Sequence, residues 1–105
     1  MTTNPLEFVN DWLTRTLPKF ESENITISIT RGPSDRDPSS AWLDFESSDK
    51  SARLMIWSNG DADLMIGDLG KGQVLLEEHR EISTELGLDD AGETVKAWLQ
   101  TDRHV

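Results

Sequence analysis

Residues 52–66 read Ala52-Arg53-Leu54-Met55-Ile56-Trp57-Ser58-Asn59-Gly60-Asp61-Ala62-Asp63-Leu64-Met65-Ile66, two alternating runs about a reversal. Asn and Gly at the centre predict a β-hairpin, because both residues tolerate the positive φ of a tight turn. A two-residue turn would set Ala62 opposite Trp57 and place Leu54 and Ile56 on the face of Asp61 and Asp63. A three-residue loop, Ser58 to Gly60 with a glycine bulge, instead pairs Ile56 with Ala62 and Leu54 with Leu64. A slip of one residue exchanges the faces, so aliphatic matching selects the longer loop.

In that register Ala52, Leu54, Ile56, Ala62, Leu64 and Ile66 form a core face. Arg53, Met55, Trp57, Asp61, Asp63 and Met65 form the opposite one. Ala41-Trp42-Leu43-Asp44-Phe45-Glu46 alternates in the same way. Leu43 and Phe45 are expected in the core, with Trp42, Asp44 and Glu46 outside. Ile25 to Thr30 alternates Ile with Thr and Ser, a half-buried strand. Gly32 to Ser40, with two prolines, reads as a loop. Ser47-Ser48-Asp49-Lys50 is a turn, and Asp68 to Gly72 is a second one before a strand from Gln73 to about Glu78.

Helices are signalled at both ends. Asn4 suits an N-cap, Pro5 the first helical position and Glu7 the third, as in a capping box. Leu6, Val9, Leu13, Leu17 and Phe20 recur at helical spacing, flanked by Phe8 and Trp12. Pro18 lacks an N–H and should stop the helix near Leu17, giving residues 5–17. Near the other end, Asp90 and Glu93 repeat the capping-box spacing. Leu88, Ala91, Val95, Trp98 and Leu99 share one face, while Gly87 and Gly92 leave the start of this helix open. Trp12 and Trp98 are expected in the core. The fold expected is α+β: an antiparallel sheet of about five strands, with an N-terminal and a C-terminal helix packed against it.

A length of 105 residues suits one domain, and 35% apolar with 29% charged residues is a globular balance. No cysteine is present, which removes disulfides, thiolate metal sites and cysteine nucleophiles. Together with an N-terminus unlike a signal peptide and no stretch long enough to span a membrane, this points to the cytoplasm. The formal net charge is −10. Nucleic acid and anionic membrane would be repelled, and a cationic partner attracted, unless the acidity serves solubility alone.

Catalytic and metal-binding parts are scarce, and no cofactor is expected. Glu77, His79 and Glu81 would share a face if the last strand runs that far, but such a trio more often lines an edge strand than holds a metal. Asp61-Ala62-Asp63 lacks the rest of an EF-hand loop. Gly67-Asp68-Leu69-Gly70-Lys71-Gly72 lacks the spacing of a phosphate loop, and Gln73 stands where Ser or Thr should follow. Serines abound without an elbow or a Ser–His–Asp set. The features that suggest recognition are Trp42, Asp44, Glu46, Met55, Trp57, Asp61 and Asp63 on one sheet surface. Indoles and Met are enriched at interface centres, and carboxylates would set the charge of the partner. The alternative is that these side chains cover one another or lie beneath the Gly32–Ser40 loop.

From strand two onward, Ala41-Trp42-Leu43-Asp44-Phe45, the hairpin from Ala52 to Leu64, Asp68, Gly72 and Gln73-Val74-Leu75-Leu76-Glu77-Glu78-His79 together resemble the TriTu family of bacterial immunity proteins, found with polymorphic toxins. A tryptophan ends one strand, a glycine turn follows, and an Asp-bearing strand precedes a Gly-x-hydrophobic strand ending in Glu. The likeness covers most of the chain after residue 40, and the helical ends match only in kind. It implies neutralisation of a toxin by binding, with no residue-level motif to transfer. The expectation is a non-enzymatic monomer or weak dimer that binds a basic toxin domain. A small acidic secretion chaperone or adaptor is the alternative, and a small enzyme or metal-binding protein is third.

Overall fold

The computed structural model describes residues 5–32, 39–47, 50–68 and 72–100. A single turn of 3₁₀ helix, Pro5–Glu7, leads into α1 (Val9–Glu21). Five strands follow: β1 (Thr26–Arg31), β2 (Ser40–Ser47), β3 (Lys50–Trp57), β4 (Asp61–Asp68) and β5 (Gln73–Glu81). Helix α2 (Glu85–Leu99) closes the order. The strands form one antiparallel sheet in sequence order.

Register follows the longer hairpin loop. Ile56 pairs with Ala62 and Leu54 with Leu64. Gly60 sits at φ +99°, and its N–H donates to the Trp57 carbonyl at 3.0 Å, a type I turn closed by a glycine bulge. Consequently Leu43, Phe45, Ala52, Leu54, Ile56, Ala62, Leu64 and Ile66 are all buried. They pack with Val9, Trp12 and Phe20 of α1 and with Leu88, Ala91, Val95 and Leu99 of α2. Both helices therefore cover one side of the sheet.

Several expectations need correction. Helix α1 runs Val9–Glu21 and passes through Pro18, rather than ending near Leu17. Its stop is Asn24, at φ 63°. There the Asn24 N–H donates to Glu21 O and the Ile25 N–H to Phe20 O, a Schellman pair with Phe20 and Ile25 both buried. Pro18 costs about 3 kcal/mol in a helix interior. The extra turn seats Phe20, whose ring lies 5.8 Å from Phe45 and 6.4 Å from Trp12. Burial plus ring contact contributes about 3 kcal/mol, enough to offset the proline. The buried stripe of α1 is Val9, Trp12 and Phe20, with Leu13 only partly covered.

Helix α2 begins at Glu85 after Thr84, five residues before Asp90, which is exposed on the helix. The glycines are contact points here rather than breaks. A Cβ at Gly92 would stand 3.0 Å from the Trp12 ring, and one at Gly87 would stand 3.3 Å from the Ile82 side chain. Trp12 is core, and its Nε1 donates to Asp89 Oδ1 at 2.8 Å. Trp98 is only partly buried, with Nε1 donating to the Ser51 carbonyl at 3.3 Å. Lys50 is 6% exposed, with its Nζ 4.8 Å over the Trp98 ring. Strand β5 extends three residues past Glu78, to Glu81. The Asn4 cap lies outside the described residues, as does most of the Gly32–Ser40 loop.

Candidate functional site

The sheet face away from the helices carries every residue singled out for recognition. Its rows run straight across the strands. One row is Thr30, Trp42, Met55, Asp63 and His79; the next is Ser28, Asp44, Arg53, Met65 and Glu77. Trp57 pairs with Ser40, and Asp61 pairs with Glu81 across the far end. Trp42, Asp44, Met55, Trp57, Asp61 and Asp63 are half-buried, and Glu46 is exposed. The period of two puts them there: each alternates with a core residue, so the packing that buries Leu43, Leu54 and Leu64 turns their neighbours outward.

This face divides into two parts. In the middle, Arg53 Nε donates to Asp44 Oδ1 at 2.7 Å, and the same guanidinium lies 5.9 Å from the Trp42 ring centre. Arg53 thus engages both Trp42 and Asp44, so neither is left bare. Toward the hairpin loop, Trp57, Asn59, Asp61, Asp63 and His79 line a recess of about 270 Å³. Asn59 Oδ1 accepts from the Asp61 backbone N–H at 3.0 Å, which fixes the loop against the start of β4.

His79 is the member that reading the strands separately missed. Its Nδ1 lies 3.2 Å from Asp63 Oδ1, and its Nε2 lies 3.6 Å from Asp61 Oδ1. A neutral imidazole has one N–H and can donate to only one of the two. The signal was present in the pairing of β4 with β5, but it needed the bulge between Ile66 and Gly67 to set the count. Because His79 leans toward β4, it leaves Glu77 and Glu81 as separate carboxylates. Among the described residues, no group of three or more His, Asp or Glu side chains is arranged to hold a metal ion.

Chemically, the recess offers an indole wall and two carboxylates within a surface that also bears Glu46, Glu77 and Glu81. Such a wall and charge pair suit a guanidinium or ammonium group, which gains from both the ring and the carboxylates. A family model described as Immunity protein TriTu matches residues 7–100. The chain belongs to that family. TriTu membership covers the whole sheet and both helices, so it includes the helical ends that resembled the family only in kind. It makes a protein toxin the partner class for a TriTu chain, and immunity proteins of this kind are generally non-enzymatic. No curated protein matches the sequence. No helix among the described residues is long and apolar enough to cross a membrane.

Proposed function

We propose that this chain neutralises a cationic toxin domain in the cytoplasm by docking its helix-free sheet face over the toxin, acting as a single unit without cofactor. The observation that carries the reading is Trp57 standing beside Asp61 and Asp63 in an open recess at one end of that face. An indole brings large buried area at little conformational cost, and the carboxylates select an Arg or Lys side chain on the toxin. Asp44 and Trp42, tied to Arg53, would form a supporting rim with Met55 and Glu46. Membership of an immunity family favours this reading over a secretion chaperone.

The test is calorimetric titration of the full chain with the toxin domain encoded beside its gene, paired with toxicity rescue on co-expression. Trp57→Ala and the double change Asp61→Asn with Asp63→Asn should each weaken binding at least tenfold and reduce rescue, since central anchors of this type typically cost about 2 kcal/mol or more when removed. Full rescue with unchanged affinity in both variants would move the docking surface elsewhere.

A further inference from the structure

Among the described residues, strand β5 is an edge, paired with β4 alone. Among the described residues, no bond outside the β4 ladder engages its backbone. It is nine residues long and holds neither lysine nor proline; the bulge opposite Gly67 and the inward-facing Glu78 and Arg80 are its blunting devices, and they leave its apolar start uncovered. Here its first half is apolar and open: Val74 is 48% exposed, Leu75 62% and Leu76 40%. These are three of the four exposed large hydrophobic residues of the described chain, and they are consecutive. Its second half carries Glu77, Glu78 and Glu81. Arg80, the cation of that half, is already engaged with Glu78 and with Asp90 and Thr94 of α2.

We infer that the β5 edge takes an extended segment of the toxin as a sixth strand, a segment with apolar side chains opposite Val74–Leu76 and Lys or Arg side chains opposite Glu77 and Glu81. This rests on the toxin-binding reading above and adds the part of the partner that is recognised. Main-chain hydrogen bonds would supply affinity and the alternating side chains specificity. Two features choose this occupant. A strand added there would lengthen the row Trp42, Met55, Asp63, His79, so its outward side chains would stand at the margin of the Trp57 recess. A second copy of this chain, by contrast, would bring a body of charge −10 against its equal, and antiparallel self-pairing centred on Glu77 would set that carboxylate opposite itself. The other edge, β1, presents no comparable apolar run.

The test uses the full chain and the toxin domain encoded beside its gene. Amide hydrogen exchange with and without the toxin should show slowed exchange within residues 73–81, beyond the amides already held by β4. Leu75→Arg should weaken binding at least tenfold, whereas Leu86→Arg, which adds the same charge at an exposed leucine of α2, should leave affinity within twofold. Both variants should keep the wild-type melting temperature within a few degrees, since both leucines are exposed. Binding with exchange slowed only on β2 and β3, and with Leu75→Arg at full affinity, overturns the edge proposal and leaves the toxin reading standing. Absence of any binding overturns both. Slowed β5 exchange in the chain alone, rising with concentration and accompanied by dimer in sedimentation, assigns the edge to a second copy and overturns the toxin segment.

Discussion

Gly67 bears a steric demand that only the paired strands reveal. A Cβ at this position would run into the Gln73 carbonyl oxygen and stand 2.9 Å from the Leu75 nitrogen. Both atoms belong to the backbone of β5, so no rotamer change can relieve the contact. The bulge opposite Gly67 leaves Leu75 outside the pairing and turns the apolar start of β5 toward solvent. Gly67→Ala should therefore lower stability by about 2 kcal/mol, as overpacking against rigid atoms does. That corresponds to a melting temperature roughly 10 °C lower, measured by thermal unfolding. An unchanged melting temperature would mean that the bulge relaxes without cost. Arg53 shows the complementary case of a side chain whose meaning is cross-strand. In sequence it is one of the outward residues of β3; in the fold it occupies Asp44 and Trp42 and leaves the Trp57 end of the face as the open one.

At the scale of elements, α1 is a contest between local preference and packing. Pro18 has no N–H to offer the Thr14 carbonyl and lies inside the helix, exposed, while Phe20 two residues later is buried. Pro18→Ala should restore that hydrogen bond and remove the ring clash. Against the roughly 3 kcal/mol this recovers stands about 1 kcal/mol from the greater freedom of the unfolded chain, so denaturant unfolding should show a gain of about 2 kcal/mol. A loss on this substitution would show that Pro18 shapes the helix for Phe20. The same contest explains α2. The Asp90–Glu93 spacing imitates a helix start, yet the helix begins at Glu85, because Gly87 and Gly92 bring it close to Ile82 and Trp12.

For the molecule as a whole, the helices take one side of the sheet and the acidic residues of the strands gather on the other. The face carries Asp44, Glu46, Asp61, Asp63, Glu77 and Glu81 against Arg53 and His79, within a chain of net charge −10. If the toxin is cationic, this field accelerates encounter. Its association rate, followed by stopped-flow fluorescence of the tryptophans, should fall about tenfold or more between roughly 20 mM and 500 mM salt as the screening length contracts. The dissociation rate should change far less, because close contacts are screened weakly. A rate indifferent to salt would remove the electrostatic part of the proposal.

Alternation determined which residues of β2, β3 and β4 share a face, and the matching of aliphatic residues on either side of the Gly60 turn selected the loop length that set their register. Both are local properties, since a period of two and pairing across a short turn act within a few residues. The indoles and carboxylates of the outer face were legible for the same reason. Only the tertiary structure decided that α1 continues past Pro18, that α2 starts before Asp90, that Arg53 occupies the middle of the face, and that His79 joins Asp61 and Asp63. Each depends on contacts between residues distant in the chain, whose energies equal or exceed the local preferences they override.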